Sequence, residues 1–181
     1  MGTVLMLATL ILLMWFQIFL AGAGRGLKET YCHYIYMVPE KPFMKIVWSN
    51  LEVILKAFVE GALISLAAGI AAGAGILLIV FFAATYTLFV FMLIAINFVF
   101  MRFTGVVNMN AGLLVFIYMF AVMLVMAPGI AAAIAAGINF GAPWALAALS
   151  GWELIAALVC FRASRDILHN CDMISLRATG I

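Results

Sequence analysis

Glu153 is the most informative single residue of this 181-residue chain. It follows Trp152 and lies nine residues before Arg162, and no other charge occurs between Phe103 and Phe161. Nine residues of helix are about 13 Å. If that helix crosses a bilayer, the carboxyl lies near mid-membrane, where an ionisable group is costly and faces a bundle interior or an aqueous cavity. Two roles fit it: structural pairing with another helix, or a part in moving a substrate. A second charged group is Glu52, Lys56 and Glu60, spaced four apart and therefore on one helix face. That spacing lets Lys56 reach both carboxylates. The trio reads either as a stripe whose long side chains snorkel to the membrane interface or as a polar path and partner contact. Glu60, about 13 Å into its helix, is the deepest of the three. Asn97, Gln17 and the Thr85-Tyr86-Thr87 group are uncharged and suit hydrogen bonds between helices.

Gly61, Ser65, Gly69 and Gly73 also recur every four residues. Small side chains at that interval leave a flat strip on which a second backbone can approach closely, the contact that matters where lipid supplies no hydrophobic drive. Pro128-Gly129 removes a backbone donor inside an apolar run and predicts a kink. Cys32-His33 and His169-Asn170-Cys171-Asp172 hold zinc-type ligands, but their spacing matches no finger pattern, so no metal is expected. The three cysteines form no C-x-x-C pair. No Gly-rich phosphate loop, H-E-x-x-H or G-x-S-x-G is present, so no ATPase site or other enzyme activity is expected of the chain itself.

These residues need a scaffold, and composition selects it. The chain is 69% apolar and 9% charged, against about half and a quarter for a soluble domain. Seven acids and nine bases cannot clothe a water-facing surface of normal polarity. A soluble globule, a disordered tail and a nucleic-acid binder are excluded. The long apolar runs are not the alternating short strands of an outer-membrane barrel. The expected fold is all-α: a single polytopic transmembrane bundle over residues 1–181. A crossing needs about 20 apolar residues, and five spans are predicted, at about 3–22, 51–72, 76–100, 111–137 and 143–161. Breaks are predicted at Gly73–Gly75, at Arg102–Asn110 and at Asn139–Pro143.

Lys and Arg set the orientation. Arg25, Lys28, Lys41, Lys45 and Lys56 accompany the connection between spans one and two, Arg102 follows span three, and Arg162, Arg165 and Arg177 follow span five. The two remaining turns carry no base. All positive segments thus fall on one side, which the positive-inside rule makes the cytoplasm. The prediction is N-out and C-in, with residues 24–50 and the tail 162–181 cytoplasmic. Ala21-Gly22-Ala23 resembles a signal cleavage site, but no basic residue precedes Leu5 and the apolar stretch is long, so a chain lacking earlier spans is the preferred expectation.

Several stretches resemble the C-terminal portion of the ABC exporter membrane proteins of Gram-positive bacteria, which are similar to ABC-2 permeases. They are Tyr34-Ile35-Tyr36-Met37-Val38-Pro39-Glu40-Lys41-Pro42-Phe43, Trp48-Ser49-Asn50-Leu51-Glu52, Leu55–Gly61, Met101–Gly105, Ala127-Pro128-Gly129 and Arg165–Asp172. The resemblance implies a permease part in the plasma membrane that exports a substrate with a separate cytosolic ATPase, which would bind the ATP. By the same analogy, Tyr34, Tyr36, Pro39, Lys41, Phe43 and Glu52 would couple to that partner. Physically, an aromatic segment with Pro39 and Pro42 suits the headgroup level, and Lys41 and Lys45 suit anionic lipid or an acidic protein groove. Glu153, Glu60, Lys56 and Asn97 are the candidates for a polar transport path. Besides the ATPase and lipids, another copy or another membrane chain is an expected partner. Two competing expectations remain: a small-molecule-binding subunit of a vitamin-type uptake transporter, and a non-transporting membrane scaffold or fragment.

Overall fold

A computed structural model describes residues 2–22, 42–104 and 111–164. Within hydrocarbon a backbone must satisfy its own hydrogen bonds, and an apolar segment does so as a helix. The described residues form five helices and no strand: α1 (Gly2–Gly22), α2 (Pro42–Ala72), α3 (Ile76–Thr104), α4 (Ala111–Phe140) and α5 (Ala142–Ser164). Each is long and apolar enough to cross a membrane. Helix α2 exceeds the expected span: it begins at Pro42, where a proline at the first helical position sacrifices only a donor that would be unpaired anyway. Residues 23–41, 105–110 and 165–181, which hold most of the expected cytoplasmic segment and tail, lie outside the described residues.

The two tight turns are built on left-handed glycines. Gly73 has φ +59°, and behind it Ala74 N–H bonds the Gly69 carbonyl at 2.9 Å while Gly73 N–H bonds that of Ile70 at 3.2 Å. This pair of bonds satisfies the last carbonyls of α2. Gly141 has φ +94° and donates to the Gly137 carbonyl at 3.0 Å. The break expected over Asn139–Pro143 therefore shrinks to Gly141 alone. Asn139 stays helical, donating from its side chain to the Ala135 carbonyl, and Pro143 sits in the first turn of α5.

The helices alternate in direction. The start of α1 meets the end of α2, since a Cβ on Gly2 would overlap the Ala72 carbonyl oxygen. The first end of the bundle holds that start and both glycine turns; Arg102 and Arg162 lie toward the second end. Helix α3 is the axis. It is apolar all round, as a central helix should be, and Met92 through Phe98 are buried without interruption. Helix α5 packs along α3 and α4, α2 packs on α3, and α1 rests on α2, α3 and α4. Large apolar side chains cover the outside, among them Leu12, Ile70, Ile76, Phe116 and Ile138. Such a surface is untenable in water and ordinary against lipid.

The small-residue strip of α2 forms part of its seam with α3. A Cβ on Gly61 would lie 2.8 Å from the Tyr86 ring, and one on Gly69 would lie 2.4 Å from the Ile79 side chain. Ser65 is buried between them and returns its hydroxyl to the Ala62 carbonyl at 3.0 Å. Gly73 lies off the seam, with open space around it, and serves the turn.

Substitutions separate these roles. Gly61→Leu should overpack the seam and cost about 1–3 kcal/mol, read as a lower melting temperature in detergent. Gly75→Ala, whose Cβ would meet nothing within 4 Å, should leave it unchanged.

Candidate functional site: polar groups inside the bundle

Three helices bring polar side chains together around Tyr86. Tyr86 projects from α3 beneath Gly61 of α2 and is almost wholly buried. Gln17 of α1 donates from Nε2 to its hydroxyl at 2.5 Å. Glu60 of α2 lies within electrostatic and hydrogen-bonding reach of the same phenol. Gln17, Tyr86 and Glu60 thus form an amide–phenol–carboxyl cluster joining α1, α3 and α2. Glu60 is ten residues past Asn50, the start of the apolar part of α2, and so about 15 Å into the hydrocarbon. Lys56 and Glu52, one and two turns toward the second end, are exposed on the outer side. Asn97 of α3 is buried, and so is Asn50 of α2.

Glu153 stands in a different setting. It is eleven residues from either end of α5, about 16 Å each way. It shares the buried face of that helix with Leu146, Leu149, Ala156, Ala157 and Phe161. Its exposure is 0%, and neither carboxylate oxygen has a hydrogen-bond partner. The structural pairing with another helix that its depth suggested, for which Lys56 and Glu60 of α2 lie at a comparable level, is therefore not made. The reason is topological: α2 packs on α3, whereas Glu153 is enclosed where α5 meets α3 and α4.

Polar ties hold this second region. The Thr85 hydroxyl lies 2.7 Å from its own Phe81 carbonyl and 3.3 Å from the Leu146 carbonyl of α5, so one proton serves both acceptors in turn. Tyr118 of α4 donates to the Leu93 carbonyl of α3 at 3.3 Å. Trp152 of α5 donates its indole N–H to the Val125 carbonyl of α4 at 2.8 Å. The same indole covers Gly129, where a Cβ would lie 2.4 Å from its Cδ1. Helix α4 continues through Pro128. Phe161 closes the second end, its ring 5.0 Å from that of Phe91 and 6.1 Å from that of Phe98.

Sequence reasoning marked Glu153, Glu60, Gln17 and Tyr86 separately, but not that the last three converge. Trp152 was not foreseen as a donor, although a part-buried indole also needs an acceptor. Tyr34, Tyr36, Pro39 and Lys41 lie outside the described residues, as do Cys32, His33, His169 and Cys171. Phe43 falls in the first turn of α2. A separate cleft of about 660 Å³ runs between α1 and α4 toward the first end, lined by apolar residues including Leu10, Met14, Trp15, Phe89, Met126 and Ile134.

Five lipid-compatible helices enclosing a few polar groups define a polytopic helical membrane protein. Residues 2–172 match the family described as "Putative ABC exporter", and the chain belongs to that family. It is therefore a membrane subunit of the transporter kind, and membership of the family implies association with an ATPase partner. Comparison with curated proteins and with solved structures returned no match.

Tyr86→Phe should remove the acceptor for Gln17 while keeping the ring, costing about 0.6 kcal/mol, the usual worth of an interhelical hydrogen bond in a membrane. Trp152→Phe should cost a similar amount, about 0.6 kcal/mol. Thermal unfolding in detergent reads both, and a double variant should be additive because the two ties join different helix pairs.

Proposed function

We propose that this chain is the membrane-spanning permease part of an ABC-type exporter in the plasma membrane, moving its substrate with energy from a separate cytosolic ATPase. The family match over residues 2–172 carries this reading. The sequence supports the division of labour, since it has no phosphate-binding loop for ATP. The second end of the bundle, toward which Arg102 and Arg162 lie, is the cytoplasmic end on this reading. The segment Tyr34–Phe43 would then meet the ATPase at the foot of α2. Closure of the ATPase would push α2, and the close Gly61–Gly69 contact would pass that movement to α3.

The apolar cleft between α1 and α4 does not favour vitamin-type uptake. A site for a soluble vitamin needs several convergent polar groups, and no charged side chain lines this cleft.

Two measurements test the proposal. The full chain, expressed in its native membrane and extracted in mild detergent, should co-purify with an ATPase subunit. Deletion of Tyr34–Phe43 should abolish that association without lowering expression. Retention of the ATPase by the deleted chain would move the coupling site elsewhere; its absence from the intact chain would defeat the exporter reading. In a cysteine-free background, Asn139→Cys should react from outside the cell with an impermeant maleimide, and labelling only after lysis would reverse the orientation.

A further inference from the structure

The burial of Glu153 gains nothing in this conformation. Its two oxygens accept no hydrogen bond. The helices packed against α5 place no cation at the level of Glu153: α3 carries no charge before Arg102, in its last turn, and α4 carries none at all. Their titratable groups are Tyr86 and Tyr118, whose hydroxyls are engaged with Gln17 and with the Leu93 carbonyl. On α5 itself Cys160 is half-buried, and Arg162 is exposed nine residues further on. Removing a carboxyl from water without a partner is among the costlier things a fold can do. A methionine would fill the space at no such cost. The acid therefore has its use in a second arrangement of the helices, where something positive reaches it.

The wall that must move is also visible. Beside Glu153, α5 touches α4 through Trp152, which lies over the bare backbone of Gly129 and bonds Val125. Pro128 leaves the Leu124 carbonyl without its intrahelical donor, so α4 is least stiff at this level.

We infer that Glu153 is an intramembrane cation-binding carboxyl, closed off here and uncovered when α4 parts from α5. The occupant is a proton or the cationic group of a transported molecule. Its role in transport rests on the exporter reading; the site itself is tested on the chain alone.

Membrane vesicles containing the full chain are treated with dicyclohexylcarbodiimide. The acid O–H adds across one C=N bond, and the acyl group then migrates to nitrogen, so the adduct gains one whole reagent and loses nothing. Peptide mapping should place the adduct on Glu153, with at least a tenfold loss in E153Q. No adduct there, or adducts confined to Glu52 and Glu60, would overturn the inference. Tetraphenylphosphonium slowing the reaction tenfold at constant pH would identify an organic cation as occupant; undiminished labelling would identify the proton. Glu153→Met should raise the melting temperature in detergent, and a lowered one would reveal a structural partner and defeat the proposal.

Discussion

Hydrocarbon offers no water to a polar group, and that single deficit organises this molecule. Every backbone donor and acceptor must find its partner within the chain, so the apolar runs become helices, and α2 and α4 are closed by glycines in left-handed geometry. The same deficit turns scattered polar side chains into fasteners. Tyr118, Thr85 and Trp152 each reach a carbonyl on a neighbouring helix, and Gln17 reaches a phenol. Apolar packing cannot orient these helices by itself, because lipid tails compete equally for apolar surface. Where helices approach most closely, as α2 does on α3, the contact is made through absent side chains at Gly61 and Gly69.

Two acids lie deep in this bundle, and the structure treats them in opposite ways. Glu60 belongs to a polar group on three helices, with Lys56 and Glu52 descending from it along α2. That arrangement resembles a ladder from the second end to mid-membrane. Glu153 belongs to no group and is sealed between α3, α4 and α5. In the proposed exporter, a partner's movement passes into these helices. The polar cluster favours holding three helices together, whereas a buried acid without a hydrogen-bond partner contributes nothing to this arrangement.

Much of the architecture was legible because hydropathy and length are sums over many residues and tolerate local error. Five crossings follow from uninterrupted apolar runs, whatever the side chains do. Sites that depend on a few atoms were less legible. Asn139 and Pro143 both read as breakers, yet Gly141 alone turns the chain, since only its φ of +94° excludes a side chain. Gly73 shares the four-residue rhythm of Gly61 and Gly69, but periodicity carries no information about where a helix stops. Trp152 looked like a bystander because its acceptor lies on another helix, 27 residues earlier.

By itself the sequence determined the solvent: 69% apolar residues and long uncharged runs commit this chain to a bilayer, through free energies that add residue by residue. It also placed Glu153 at mid-depth, because rise along a helix is constant. Which helices touch was decided only by tertiary structure. Side chains at the same depth on α2 and α5 are equally near in sequence terms, but α3 stands between them. That choice gave Glu60 its companions and left Glu153 without any.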